Sequence, residues 1–358
     1  MTDKRRQIDE LRQETAKIDA QLLSALEKRA RISRQIGELR KDDPTQLALT
    51  DLRTFHALVA RASGEMPSED LRGIFREIFA SCLALELPVK ITYVGPAGGA
   101  AHVAARTRFG TNAEFVPKES VAAALEAVAN HRAEFAVVPL ETKVDGPVQS
   151  TILALTATDL KIVAAIESSS TLHLMNRTGN PADIEKIYAT ASDHTLCQDF
   201  LAAHPNRVSV LDVKSPHFAC QVALEDHGAA ALTSEEFGTT LGLNVARRNV
   251  DEGSDLIRYA IVGARPTGRT GDDITAFAFS VQDAPGALLD VLRQFSERGI
   301  NLIKIQSHPA PGTTWSYVFF IEITGHATDR SLVTAFEEVK RVSRSFKVLG
   351  SYPAEGRG

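Results

Sequence analysis

The chain has 358 residues, 44% of them hydrophobic and 24% charged, which is ordinary for a globular protein of two or three domains. Its 45 acidic and 40 basic residues give a net charge of −5, which argues against a basic nucleic-acid-binding protein. Three widely spaced cysteines exclude a disulfide scaffold and a CxxC metal site and fit a reducing compartment, and no apolar run approaches the ~18 residues of a membrane span. We therefore expect a cytoplasmic protein without a nucleic-acid or membrane partner.

The N-terminal residues have a helical period. Apolar side chains recur at spacings of three and four over Ile8–Leu39, which predicts one long helix whose apolar stripe needs a partner surface. A second helix is expected over residues 45–62, and a third over 68–88. Residues 1–88 thus read as an all-α domain, most stable as an intertwined homodimer.

Three arginines of the long helix could bind an anionic ligand. Arg29 occupies a core position of the apolar stripe, where an unpaired cation is costly. Arg40 lies three turns later on the same face, and Arg12 could reach the pocket of a neighbouring subunit. Three inward cations suit a ligand with two carboxylates. The alternative is one ion pair that fixes the helix register, with two solvated arginines.

From Lys90 onward the period changes. Short β-rich runs alternate with helical stretches, which predicts an α/β domain with a largely parallel sheet over residues 89–265. The glycine-rich turn Gly95–Gly99 can present N–H groups to an anion, although a plain strand–helix turn is the alternative. Glu141 ends a strand, where open α/β sheets place their ligands, or is a solvated loop acid.

The remaining residues read as a linker and a small domain. Residues 266–273 are polar and form a linker by composition, and 274–358 follow the β-α-β-β-α-β order of a ferredoxin-like α+β domain. Arg258, on the strand before the linker, is either an anion ligand or half of a surface ion pair.

The segment LRQETAKIDAQLLSALEKRARISRQIGELR resembles the first helix of the all-helical type of chorismate mutase. The resemblance implies that Arg12, Arg29 and Arg40 contact the carboxylates and ether oxygen of chorismate. Glu86, in the matching last helix, stands where glutamine is common in that family. The Arg-Glu pair that usually enters the second helix is absent in register, and Asp51 is the nearest carboxylate.

Residues 90–265 resemble prephenate dehydratase in the segments TYVGPAGG, VVPLE, KIYATASDHTLCQDFL and DLIRYAIVG. The resemblance implies a two-lobed α/β domain with Glu141 and Arg258 as catalytic residues. The substrate-binding positions that it implies are Thr142, Ser215 and His217.

The working motifs of that family are altered in this chain. The family's Thr-Arg-Phe triplet reads Ile257-Arg258-Tyr259, so the hydroxyl that assists loss of the prephenate hydroxide is replaced by an alkyl group without a donor. Thr142, Ala189 and Lys214 also depart from the family pattern.

Residues 274–358 resemble an ACT domain in the segments DAPGALLDVL and GINLIKIQSHP. The resemblance implies a phenylalanine-binding element at the interface of an ACT dimer, in which Gln306 replaces glutamate and His308 replaces arginine. The implied effector residues are Gly286, Ala287, Leu288, Asn301, Gln306 and Ser307. The alternative is a dimerisation module that senses no ligand.

The order of these three regions resembles the bacterial P-protein family, the bifunctional chorismate mutase/prephenate dehydratases. This implies conversion of chorismate to prephenate and of prephenate to phenylpyruvate in L-phenylalanine biosynthesis. It further implies aromatic amino-acid feedback, a homodimer, and no cofactor or metal. The alternatives are a diverged prephenate-binding enzyme, such as a non-aromatising decarboxylase, and a non-catalytic regulatory homologue.

Overall fold

The computed structural model describes residues 2–40, 64–86, 89–110, 113–143, 145–203, 208–251, 255–309 and 317–354. The chain divides into two compact units, Met1–Val89 with Thr107–Glu114, and Lys90–Arg106 with Phe115–Gly358. None of the described helices is both long enough and apolar enough to span a membrane.

The first unit is built on two helices, α1 (Thr2–Arg40) and α2 (Ser68–Glu86). They confirm the expected first and third helices, whereas the predicted helix over 45–62 lies outside the described residues. Within this chain most of the apolar stripe of α1 is exposed. Its exposed members include Ile8, Leu11, Ile18, Leu22, Ile32 and Leu39.

The second unit begins with two α/β lobes. The helices and strands of these lobes, in chain order, are β1 (Lys90–Val94), α3 (Ala100–Phe109), β2 (Glu114–Lys118), α4 (Val121–Ala129), β3 (Phe135–Thr142), β4 (Gly146–Pro147), α5 (Gln149–Ala157), β5 (Lys161–Ser170), β6 (His173–Asn176), β7 (Lys186–Ala189), α6 (Ala191–Leu196), α7 (Gln198–Ala203), β8 (Ser209–Asp212), α8 (Pro216–Glu225), β9 (Ala229–Thr233), α9 (Glu235–Leu241), β10 (Asn244–Arg247) and β11 (Asp255–Gly263). Serine or threonine side chains cap several helix N-termini by accepting a backbone N–H three residues later. These caps are Ser120, Thr190, Ser215 and Ser234.

Each lobe has its own sheet. The first lobe has the strand order β2-β1-β3-β11-β5, with β4 paired to β3, and the second has the order β10-β6-β9-β7-β8. The two-lobed α/β architecture is confirmed, but the expectation of a largely parallel sheet is wrong. β11 returns from the second lobe into the middle of the first sheet and runs antiparallel to both β3 and β5. In the second lobe β9 pairs parallel with β7 and antiparallel with β6.

The C-terminal region folds in the predicted β-α-β-β-α-β order. Its elements are β12 (Asp273–Ser280), α10 (Ala287–Ser296), β13 (Leu302–Pro309), β14 (Tyr317–Thr324), α11 (Arg330–Val342) and β15 (Ser345–Pro353), and its sheet has the order β13-β14-β12-β15. One face of this sheet packs its aromatic residues against α10 and α11. The other face shares a core with the first lobe, in which Phe320 and Tyr352 pack with Ile152 and Val262. This sharing brings residues of the small domain next to the strands of the first lobe.

Candidate functional sites

Arg29 lies half-buried between the two helices of the first unit. Its Nη1 atom donates a hydrogen bond to the backbone oxygen of Ile78 at 3.3 Å. The guanidinium carbon lies 4.4 Å from the ring centroid of Phe79, which is a cation–π distance. Arg29 is therefore held by a carbonyl group and an aromatic face, which leaves guanidinium donors for an anion.

Two residues missed by the sequence reasoning complete this contact between the helices. Ser33 donates to the Oε1 atom of Glu86 at 3.1 Å. Gly37 lies so close to α2 that a Cβ there would be 2.4 Å from the backbone oxygen of Glu86. Arg29, Ser33 and Gly37 are spaced by four residues, so they form one row along α1. Small residues beside the apolar stripe, Ser33 and Gly37, were the signal for this close approach.

The other residues expected at this site are not brought to it by the described residues of one chain. Arg12 is exposed and lies 3.9 Å from the carboxylate of Asp9 on the preceding turn. The side chain of Arg40 and all of Asp51 lie outside the described residues.

The glycine-rich turn of the first lobe is organised by a histidine. Gly98 has a positive φ of 80° and donates its N–H to the Nδ1 atom of His102 at 2.9 Å. The imidazole stacks on Tyr93 with ring centroids 4.9 Å apart. Burial and the nearby Arg106 lower the pKa of His102, which favours the neutral form that this acceptor role requires.

Contacts between the two lobes lie beside this turn and at the start of α6. Arg106 pairs with Glu236 of α9 at 2.7 Å. A Cβ on Gly98 would lie 3.1 Å from the Cα atom of Phe237, so the turn packs directly on α9. On the other side, Ser192 at the start of α6 donates to the carboxylate of Asp145 at 3.3 Å.

The expected substrate-binding residues of the two lobes lie at the ends of a strand and a helix. They are Thr142 at the end of β3, and Ser215 and His217 at the start of α8. Thr142 accepts the backbone N–H of Asp145 at 2.8 Å. Ser215 caps α8 by accepting the N–H of Phe218, and the ring of His217 lies 6.3 Å from that of Phe237. The hydroxyl groups of Thr142 and Ser215 thus already accept hydrogen bonds within the protein.

Glu141 and Arg258 lie opposite each other on β3 and β11, and both bind side chains of the C-terminal sheet. Glu141 forms an ion pair with Lys304 and accepts from the Nε2 atom of Gln306 at 3.3 Å. Arg258 donates from Nη1 to Glu322 at 2.7 Å. The expectation of a surface pair at Arg258 is wrong, because Arg258 is 13% exposed and Glu322 is completely buried.

A tyrosine completes the buried pair. Tyr352 donates to Glu322 at 2.6 Å and accepts from the Nη2 atom of Arg258 at 3.2 Å. Burial and the neighbouring Glu322 carboxylate raise the pKa of the Tyr352 phenol. Burial opposes the charge of Arg258, but Tyr352, Glu322 and Glu141 outweigh it and hold the pKa of Arg258 above its ordinary value. Removing one partner of such a buried pair commonly costs about 3–5 kcal/mol.

Ile257 does not share a face with Arg258. Successive side chains of a strand point to opposite faces, so Ile257 points away from the side on which Arg258 meets Glu322. Ile257 is half-buried and is paired in register with Thr142 on β3. The structure therefore separates the expected set into Ile257 with Thr142 on one face and Arg258 with Glu141 on the other.

The expected effector residues also divide between two faces. Gly286 has a φ of 86° at the N-cap of α10, a conformation that favours glycine, and Ala287 and Leu288 begin that helix. Ser307 pairs with Phe319, whose side chain packs on the helix side of the sheet. Gln306 instead points to the first lobe and binds Glu141.

The remaining expected effector residue lies at the start of β13. The backbone oxygen of Asn301 accepts from the N–H of Thr324. In the part of the chain that the structure describes, no group of three or more His, Cys, Asp or Glu side chains is arranged to hold a metal ion.

Three sequence families match the chain in succession. Residues 11–87 match Chorismate mutase type II, residues 91–267 match Prephenate dehydratase, and residues 275–341 match the ACT domain. These matches fall on the helical unit, the two lobes and the C-terminal sheet domain respectively.

Relatives extend the likeness over nearly the whole chain. A bifunctional chorismate mutase/prephenate dehydratase of Aquifex aeolicus is 34% identical over 97% of this chain and 98% of its own length. One of Pseudomonas aeruginosa is 28% identical over 97% of this chain and 98% of its own. Among solved structures, a prephenate dehydratase of Arthrobacter aurescens in complex with L-Phe has a TM-score of 0.68. It is 30% identical and covers 74% of this chain and 90% of its own.

Proposed function

Because the chain belongs to the family of bifunctional chorismate mutase/prephenate dehydratases, we propose that it converts chorismate to prephenate and prephenate to phenylpyruvate. The observation that carries this proposal is the succession of three matching domains together with a relative that is similar over the full length. The product places the protein in L-phenylalanine biosynthesis.

The mutase step belongs to the helical unit. The rearrangement needs no covalent catalyst, so the protein acts by holding chorismate in its folded form and by stabilising the polar transition state. Arg29 is the central cation, because its side chain is already oriented by Ile78 and Phe79. We assign the rest of the site to Arg40, Glu86 and Asp51, with Arg12 supplied by a second copy.

The dehydratase step belongs to the two lobes. Prephenate loses its ring carboxylate as CO2 and its hydroxyl group, with a proton, as water, which leaves the aromatic ring of phenylpyruvate. Thr142 and Ile257 share one face of the first sheet, near the loop where Asp145 contacts Ser192 of the second lobe. We place the substrate between the lobes, with Ser215 and His217 on the opposite side.

The position of Ile257 favours a second candidate function. An alkyl side chain cannot donate a proton to the departing hydroxide, and one lost transition-state contact commonly costs about 3 kcal/mol. A decarboxylase that retains the hydroxyl group would need no donor at this position. A regulatory homologue without catalysis is the remaining alternative.

We also propose that the protein is a cytoplasmic homodimer that binds L-phenylalanine. The exposed apolar stripe of α1 supports a second copy as its partner, since large apolar patches on a protein surface mark interaction sites. The ACT match and the L-Phe complex of the Arthrobacter aurescens protein support the effector. Cys82, Cys197 and Cys220 are buried and form no disulfide among the described residues, which suits a reducing compartment.

Separate incubations of the purified full chain with chorismate and with prephenate test the proposed function. Mass spectrometry of the products should find prephenate and phenylpyruvate from chorismate, and phenylpyruvate from prephenate. A decarboxylated product that keeps its hydroxyl group would support the decarboxylase. Both substrates recovered unchanged would support the regulatory homologue.

A further inference from the structure

Side chains of the C-terminal sheet bind two residues that lie opposite each other on neighbouring strands of the first lobe. Lys304 and Gln306 on β13 both bind the carboxylate of Glu141, and Glu322 on β14 binds Arg258. Glu141 on β3 and Arg258 on β11 are paired in register. One cluster of four charges of alternating sign therefore lies between the first lobe and the C-terminal sheet. Its members are Lys304, Glu141, Arg258 and Glu322.

This cluster lies one residue away from the face on which we place prephenate. Thr142 follows Glu141 on β3, and Ile257 precedes Arg258 on β11. Thr142 and Ile257 are themselves paired in register, and neighbouring side chains point to opposite faces. A backbone shift at Glu141 or Arg258 therefore also moves Thr142 and Ile257.

Burial makes the cluster a rigid support. Glu322 is completely buried and Arg258 is 13% exposed, and Tyr352 hydrogen-bonds to both. A buried charged group needs its partner in a fixed geometry, whereas an exposed pair can separate at little cost. Lys304 and Glu141 are more accessible, with 23% and 27% of their side chains exposed.

We propose that Lys304 and Glu322 are positioning residues for the dehydratase reaction, which they serve by fixing Glu141 and Arg258 and thereby the ends of β3 and β11. The inference rests on the proposed function. It makes the C-terminal domain a structural part of the dehydratase site. Ser307 follows Gln306 on β13 and lies on the opposite face of that strand. A ligand bound at Ser307 therefore acts on the dehydratase site through a single strand, β13, whose Lys304 and Gln306 bind Glu141.

The test uses Lys304→Met in the full chain, because this variant removes the charge at the more accessible pair and keeps the length of the side chain. Misplacement of reacting groups by about 1 Å can cost on the order of 100-fold in rate. We expect kcat/KM for prephenate to fall by about 10–100-fold, mainly through kcat, while chorismate turnover by the same preparation stays within about twofold. Lys304→Arg should restore most of the loss. Lys340→Met, which breaks an exposed pair with Glu337, is the matched control and should leave both rates unchanged.

Hydrogen exchange separates this inference from the proposed function. In Lys304→Met, backbone amides of residues 140–143 and 256–259 should exchange faster, with the second lobe unchanged. If the wild-type chain does not consume prephenate, the proposed function fails, and the exchange pattern alone decides the positioning role. Unchanged exchange in these two segments would overturn the inference. Uniformly faster exchange across the sheet, or a loss that Lys304→Arg does not repair, would also overturn it, since both indicate a general structural role.

Glu322→Gln provides a second variant at the buried pair. It removes the carboxylate that pairs directly with Arg258, so it is interpreted only together with its circular dichroism spectrum. A folded Glu322→Gln variant should show the same selective loss of prephenate turnover. A folded variant with wild-type turnover would contradict the role assigned to Glu322.

Discussion

Charged residues within apolar stretches have polar partners in this protein. Glu322 interrupts the apolar strand β14 and binds Arg258 and Tyr352. Arg29 interrupts the apolar stripe of α1 and binds the backbone oxygen of Ile78. Because an unpaired buried charge is costly, such an interruption indicates that the folded chain supplies a partner. The sequence does not reveal which partner, since Glu322 and Arg258 are 64 residues apart.

Arg29→Ala is expected to abolish most chorismate mutase activity. The substitution removes a cation that is held between α1 and α2, and hydrogen bonds to charged groups are worth about 1.5–3 kcal/mol each. We expect kcat/KM for chorismate to fall at least ~100-fold in a spectrophotometric assay. Arg31→Ala, at an exposed position of the same helix, is the control. A rate within a few-fold of wild type for Arg29→Ala would mean that this cation is structural.

Ile257→Thr is expected to increase phenylpyruvate formation from prephenate. Threonine keeps the branched Cβ and supplies the hydroxyl donor that isoleucine lacks. Full recovery is not expected, because Thr142, Ala189 and Lys214 also depart from the family pattern and transition-state contacts act as a unit. Ile74→Thr, the same change at an exposed position of α2, should leave the rate unaltered. Wild-type turnover already at ~1–1000 per second would show that another group supplies the proton.

Acid is expected to destabilise the second unit below about pH 6.5, the ordinary pKa of histidine. His102 and His173 each accept a backbone N–H at Nδ1, and burial is the leading cause of the lowered pKa of each ring. As the pH falls, these histidines therefore bind protons at a higher pH in the unfolded chain than in the folded chain. The free energy of unfolding decreases as a result. Urea unfolding midpoints between pH 7 and 5 measure the effect.

His102→Asn isolates the contribution of one imidazole to this acid sensitivity. Asparagine can offer an oxygen close to the position of Nδ1 but does not titrate, so the midpoint should depend less on pH than in wild type. His131→Asn is the control, because His131 is exposed and has a positive φ of 53° that asparagine tolerates. An unchanged pH dependence in His102→Asn would contradict the assignment.

At the scale of helices and strands, close packing depends on small residues at particular contacts. Gly37 allows α1 to approach the end of α2, and Gly98 allows the glycine-rich turn of the first lobe to approach α9. The helical period identified the apolar stripe of α1 but not the row of Arg29, Ser33 and Gly37 that contacts α2. The helical period shows which residues of α1 can share a face. Which face contacts α2 depends also on the residues of α2.

Gly37→Ala is expected to weaken the helical unit. Its new Cβ would lie 2.4 Å from a backbone oxygen of Glu86, so one helix must move, and overpacking of this kind costs about 1–3 kcal/mol. Chorismate turnover should fall along with the thermal stability of the unit. Gly73→Ala on α2 is the matched control. It meets open space and should stabilise its helix by about 0.5–1 kcal/mol. Equal stability of the two variants would contradict the close contact at Gly37.

The sequence predicted most elements but not the mixed sheet of the first lobe. Alternating strands and helices favour parallel pairing, because each helix returns the chain to the same end of the sheet. β11 breaks this rule, since it re-enters the first sheet after the whole second lobe and lies between β3 and β5. For the same reason the contact of Arg258 with Glu322 could not be predicted, as it depends on which face of β11 meets the C-terminal sheet.

At the scale of the whole molecule, three regions of different architecture match three families in one order. The first lobe and the C-terminal sheet share a continuous core, so the dehydratase region and the ACT region are packed together. The apolar stripe of α1 is exposed within one chain, and we propose it as the surface that a second copy covers.

The full chain is expected to be a dimer at micromolar concentration by light scattering. Leu22→Glu places a charge in the exposed stripe of α1 and should shift the chain toward the monomer, because burying an unpaired carboxylate opposes association. Val333→Glu, at an exposed position of α11, is the control for added charge. A monomeric wild-type chain would contradict the role given to the stripe.

Conversion of prephenate to phenylpyruvate by this chain is best measured through the stoichiometry of the reaction. Purified full chain is supplied with prephenate, and released CO2 and phenylpyruvate are measured in the same sample. We expect one phenylpyruvate for each CO2 released, at a rate that Ile257→Thr increases. Release of CO2 without phenylpyruvate, or prephenate that disappears no faster than without protein, would contradict it.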